Sequence, residues 1–158
     1  MKIKERKIIS VTVMNEHGVL SRIAGLFAGR GYNIESLTVA PIPDTNFSRF
    51  TIVTEGNTRV LEQIVKQLYK LIPTYKVIDN KEFVEKEMAL VKIPLDANLS
   101  GLDALLKGYN GTVANSGENY LVLLVADDSK RVNNFLKAVK KFNPIEIVRS
   151  GSVALEIE

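Results

Sequence analysis

The stretch that decides the fold is Asn15-Glu16-His17-Gly18-Val19-Leu20-Ser21-Arg22, followed closely by Gly31-Tyr32-Asn33-Ile34-Glu35-Ser36. Ahead of it, Ile8-Ile9-Ser10-Val11-Thr12-Val13 is short, β-branched and bounded by a polar turn, which predicts a buried strand. After Gly18 the pattern changes period. Leu20, Ile23, Ala24 and Phe27 fall at helical spacing, and Gly29 and Gly31 close the segment as a helix end requires. The segment therefore reads as strand, tight turn at Gly18, helix, glycine turn, then a second strand from Asn33 to Ala40.

A helix that opens from a glycine turn exposes unpaired N–H groups and the positive end of its macrodipole. That end suits a carboxylate or a phosphate. Asn15 and Asn33 add amide side chains that both donate and accept, a combination suited to a zwitterion. On turn propensity alone, Asn15 and Gly18 are equally readable as turn residues and Asn33 as a strand-opening residue.

The rest of the 158-residue chain continues the pattern. Pro41-Ile42-Pro43-Asp44-Thr45-Asn46 is a turn, and Phe47 to Thr54 is a third strand forming a hairpin with the second. Asn57 is placed to cap a second helix whose apolar face is Val60, Leu61, Ile64, Leu68, Leu71 and Ile72. Pro73 stops it, and Tyr75 to Ile78 is a fourth strand. The second half repeats this order, with strands over Glu87–Ile93, Gly111–Asn115, Asn119–Ala126 and Ile145–Leu155. Its helices cover Leu99–Lys107 and a segment opened by Asp127-Asp128, whose buried side is Val132, Phe135, Leu136 and Val139. The expected fold is α+β, two ferredoxin-like βαββαβ domains in tandem. The boundary is expected in the charged run around Asp79-Asn80-Lys81-Glu82, giving domains 1–80 and 81–158.

Composition narrows the chemistry. An apolar fraction of 46% and a charged fraction of 25% are those of an ordinary globular protein. The absence of cysteine excludes disulfides, thiolate metal sites and a cysteine nucleophile. His17 is the sole histidine and reads as an exposed turn residue. Met1 to Lys7 has no apolar leader, and no apolar run reaches membrane-span length, so a cytoplasmic location is expected. Net charge is +3, with residues 1–80 carrying +4 and residues 81–158 carrying −1. That excess is too thin for a nucleic-acid stripe.

The first half resembles an ACT domain, a small-molecule sensor of ferredoxin-like fold. More closely, Asn15 to Arg22, Gly25-Leu26-Phe27, Arg30 to Val39, Ser48-Arg49 and Leu61-Glu62-Gln63-Ile64 resemble the regulatory (small) subunits of acetolactate synthase, also called acetohydroxyacid synthase. Leu90-Val91-Lys92 and Arg149-Ser150-Gly151 fit the C-terminal domain of the same family. The resemblance implies a non-catalytic chain that forms a homodimer, binds valine at the ACT interface, and activates a separate catalytic (large) subunit while conferring feedback inhibition. Thiamine diphosphate, Mg and FAD would belong to that catalytic subunit and not to this chain. Carried over by position, Asn15, Gly18, Val19 and Leu20 would come from one chain and Asn33 and Ile34 from its partner. Gly18 would admit the ligand's backbone, the N–H groups of Gly18 to Leu20 would hold its carboxylate, and Leu20 and Ile34 would line its side chain.

Other classes make distinct predictions. A standalone ACT-type amino-acid sensor would act on a different partner and would not co-purify with a large thiamine-diphosphate enzyme. An RNA-binding module would need mid-strand aromatics, whereas Tyr32 sits at a helix end. An independent enzyme would need a partner for Glu35 or Glu55, and no second group is placed to work with either. Arg49, Lys66 and Lys70 read either as partner contacts or as a solvated face. Tyr109, Tyr120 and Phe135 read as core or dimer contacts.

Overall fold

In the computed structural model the described residues are 5–71, 74–79, 82–96 and 98–157. Strand β1 (Glu5–Met14) leads into helix α1 (Val19–Arg30), then β2 (Asn33–Pro41), β3 (Phe47–Gly56), α2 (Thr58–Lys70) and β4 (Thr74–Ile78). The second series is β5 (Glu82–Pro94), α3 (Leu102–Gly108), β6 (Thr112–Ser116), β7 (Tyr120–Asp127), α4 (Ser129–Ala138) and β8 (Glu146–Ile157), with a 3-10 turn at Val139–Phe142. The strands form two four-stranded sheets, ordered β2-β3-β1-β4 and β6-β7-β5-β8. Both halves are therefore βαββαβ, the ferredoxin-like arrangement expected from the order of elements. The chain divides into two compact units, one ending at Val84 but including 154–157, the other Glu85–Val153.

In the first unit β1 is central, paired antiparallel with β3 from Glu5↔Gly56 to Met14↔Phe47 and with β4 on its other side. Period-two alternation turns Ile9, Val11 and Val13 of β1, with Phe50 and Ile52 of β3, towards the helices. Ile23, Leu26 and Phe27 of α1 and Leu61, Ile64 and Leu68 of α2 close over them. Glycine ends α1 at both sides: Gly18 at φ 80° opens it, and Gly31 at φ 64° closes it by donating its N–H to the Ala28 carbonyl. Asn57 caps α2 as expected, its side chain accepting the Val60 N–H at 3.0 Å. The stop assigned to Pro73, the contribution of Ile72 and the expected boundary at Asn80-Lys81 lie outside the described residues.

The second unit has its own core. Ala89, Val91 and Ile93 of β5 and Leu123 and Val125 of β7 face Leu106 of α3 and Val132 and Phe135 of α4. Phe135 is fully buried, with Tyr109 edge-on at 5.6 Å, so both belong to the core. In this half of the chain three bounds differ from the sequence reading by more than one residue. Helix α3 starts at Leu102 rather than Leu99, because Asn98 accepts the Ser100 N–H and Gly101 turns left-handed at φ 88°. Strand β5 begins at Glu82, and β8 extends to Ile157.

Candidate functional site

The turn from β1 into α1 builds the candidate site. Asn15 ends the strand, and its N–H donates to the Asn46 carbonyl at 2.8 Å, tying the turn to the β2–β3 loop. Gly18 adopts φ 80°, a conformation that L side chains rarely take, and its carbonyl accepts the Arg22 N–H at 3.0 Å to begin α1. No side chain caps this helix, and its first turn carries no acidic residue. The positive end of a twelve-residue helix is therefore left without an acidic residue in its own first turn, the nearest in sequence being Glu16 two residues before Gly18. An added Cβ at Gly18 would meet nothing within 4 Å, so the space above the turn is open.

Around that turn lies a cavity of ≈ 170 Å³. Its wall is Val13, Met14, Asn15, Glu16, His17, Gly18, Val19 and Leu20 from the turn, with Val39 of β2 and Ser48 and Phe50 of β3. The strand registers explain the set. Val39 pairs with Phe50, and Ser48 pairs with both Pro41 and Val13, so these residues form adjacent rows on the helix-facing side of the sheet. Val13 and Phe50 are buried, giving an apolar floor. Leu20 is half exposed at the mouth and turned away from the core. The arrangement offers backbone donors for an anion, an amide from Asn15, and a hydrocarbon wall.

Of the six residues expected at the effector site, the cavity gathers Asn15, Gly18, Val19 and Leu20. Asn33 and Ile34 stand beyond the far end of α1, a helix about 18 Å long. The Asn33 carbonyl accepts the Thr54 hydroxyl, and Ile34 packs against the first core. A bulge follows at Glu35, whose carboxylate meets Arg6 at 2.8 Å. Sequence reading missed Met14, Glu16, Val39, Ser48 and Phe50, and took His17 as turn only. The Phe47–Thr54 alternation contained the signal for Ser48 and Phe50, but only the register shows which of its two faces looks at the turn.

A second polar cluster joins β7 to α4. Asp127 accepts from Arg131 at 2.6 Å and from the Asp128 N–H at 2.8 Å, and Lys86 stands 3.5 Å away. The Arg131 hydrogen bond first, then the Asp128 N–H, hold the Asp127 carboxyl below the usual range. Lys86 is shifted upward, chiefly by its hydrogen bond to Asp128. Arg131 also donates to the Gly108 carbonyl and lies over the Tyr109 ring, so it clips the end of α3 to α4, while Lys86 ties β5 to the same junction. Glu87, buried on β5, is likewise paired with Arg149 on β8. Arg49 donates to the Ala154 carbonyl at 2.9 Å within the first unit. Among the described residues no cluster of His, Asp or Glu could hold a metal ion, and no helix is long and apolar enough to cross a membrane.

Comparisons with known proteins agree along the length of the chain. The sequence model described as an AHAS small subunit-like ACT domain matches residues 9–76. A second, described as small subunit of acetolactate synthase, matches residues 86–158. The acetolactate synthase isozyme 3 small subunit of Escherichia coli is 42% identical over 156 residues, covering 95% of this chain and 94% of that protein. The acetolactate synthase small subunit of Buchnera aphidicola is 37% identical over 155 residues, covering 96% and 98%. Among solved structures, the acetolactate synthase small subunit of Thermotoga maritima superposes with a TM-score of 0.87 at 30% identity, covering 98% of each chain.

Proposed function

The chain belongs to the acetolactate synthase small-subunit family, and from that premise we propose that it regulates a separate acetolactate synthase catalytic subunit. In this reading it binds valine at a site shared by two copies of the ACT unit, activates the catalytic subunit, and transmits feedback inhibition. The observation that carries the reading is the uncapped start of α1 at Gly18, opening into a cavity with a hydrocarbon floor. The helix N–H groups and Asn15 take the zwitterionic head of the amino acid. Leu20 and Val39, with the floor residues Val13 and Phe50, take its branched side chain. Apolar walls separate ligands differing by one methylene by only about 1–3 kcal/mol, so leucine and isoleucine compete with valine.

The edge position of β2 supports a shared site. An antiparallel pairing of β2 with its symmetry mate runs the Asn33 end of one copy towards the Val39 end of the other. Asn33 and Ile34, remote from the cavity within one chain, thereby reach it from another. Because the ligand bridges two copies, it favours one arrangement of the pair, and a differential affinity of about 1–3 kcal/mol suffices to shift the catalytic subunit's state.

Reconstitution tests the reading. The chain is mixed with an acetolactate synthase catalytic subunit, and acetolactate formation is followed with and without L-valine. Activity should rise on mixing and fall again with valine. A catalytic subunit indifferent to the chain at every ratio would overturn the proposal.

A further inference from the structure

We infer that Arg49 is a positioning residue, latching the end of β8 to the back of β3 so that docking of that end and occupancy of the α1 cavity favour one another. The coupling rests on the reading of that cavity as an effector site. On β3, Ser48 and Phe50 belong to the cavity wall, and strand alternation turns Arg49 to the opposite face. There its guanidinium Nη2 donates to the Ala154 carbonyl at 2.9 Å. Its Nε is buried and donates to nothing among the described residues, so Ala154 is the contact that engages the group. Thr51 and Val53, next along the same face, are buried, and a hydrogen bond gains strength where water is excluded.

Strand β8 is built as a strap. Near its start Arg149 is paired with the buried Glu87 of β5, within the second unit. Ala154 is buried and, with residues 155–157, belongs to the first unit. Between the two ties stands Gly151 at φ 83°, a left-handed pivot inside a strand. One end of the strap is therefore free to dock or release while the other stays held. Planar peptides join Ser48, Arg49 and Phe50, so a ligand seated against the first and last biases where the guanidinium between them lies. A ligand that prefers the docked form protects it, and by linkage the docked form binds that ligand more tightly by the same factor.

The test is hydrogen–deuterium exchange of the C-terminal peptide, with and without saturating L-valine, beside calorimetric titration of valine. Both are run on the full-length chain and on Arg49→Met and Arg49→Lys. In the wild type, valine should slow exchange of that peptide about fivefold or more. Arg49→Met keeps the aliphatic stem and loses the donors, so without valine its peptide should exchange about tenfold faster. Its valine affinity should fall, by up to the factor with which valine protects the wild-type peptide. Arg49→Lys keeps a charged donor and should lie between the two. Valine without effect on the wild-type peptide, or an Arg49→Met peptide exchanging as wild type does, would overturn the inference. So would an Arg49→Met chain whose turn from Met14 to Leu20 also exchanges faster without valine, since that marks a damaged sheet and not a released strap. A wild-type chain that binds neither valine, leucine nor isoleucine would instead remove the effector reading and the coupling with it, leaving the Arg49→Met peptide to decide the latch alone.

Discussion

Gly18 has two separable duties, and two substitutions part them. Its φ of 80° serves the turn, and the open space above it serves the ligand. Gly18→Ala meets no atom but holds a Cβ in the left-handed region, at a cost of about 1–2 kcal/mol. Thermal melts should show that loss, and valine titrations should show a modest weakening, because the new Cβ enters the space above the turn. Gly18→Asp inverts the pattern. Asp tolerates the left-handed region better and suits the residue before a helix, so stability holds. Its carboxylate, however, sits where the ligand's carboxylate is received, and calorimetry should detect no valine binding. An aspartate variant that binds valine as wild type does would break the link between the turn and the effector.

At the scale of elements, the β7–α4 junction carries a pH signature. Asp127 is held ionised by Arg131 and the Asp128 N–H, and its pKa lies below the ordinary value of about 3.9. A lowered folded-state pKa means that the stabilisation is fully present above the unfolded value and is lost as pH falls through the folded one. Acid melts from pH 6 to 2 should therefore lose stability below about pH 4, and Asp127→Asn should flatten part of that slope; a parallel slope in the variant would count against the junction. Elements of this kind were legible in the sequence where a local rule closed on itself. Gly31 after a helical run and Asn57 before one each act within a few residues, and both appear as expected. What escaped was set by distant pairing. The face that Ser48 presents depends on its register with Val13, fixed 35 residues away. The start of α3 was misplaced because Asn98 and Gly101 substitute a side-chain turn for the first helical turn, leaving Leu99 outside the helix.

For the molecule as a whole, two disjoint cores predict separable failures. Phe135 is fully buried in the second, and truncation to alanine should cost that unit about 3–5 kcal/mol. Because the candidate site is built entirely in the first unit, valine affinity at low temperature should be unchanged; a parallel loss of binding in Phe135→Ala would show that the site depends on the second core. The repeat of βαββαβ was readable from element order alone, since each half supplies its own apolar rows. The sharing of a site between two copies was not readable from spacing. Asn15 and Asn33 are 18 positions apart in sequence, and a helix holds them at opposite ends of one unit.

That sharing is the central claim, and mixing variants tests it directly. Asn15→Ala and Asn33→Ala, each alone, should bind valine poorly, since every site in either homodimer lacks one amide. Unfolded together and refolded, they form mixed dimers in which one site carries both substitutions and the other carries none. Calorimetry of the isolated mixed dimer should then recover one valine site per dimer at wild-type affinity. A mixed dimer as deficient as its parents would contradict the account, because it would place both asparagines in the same chain's site.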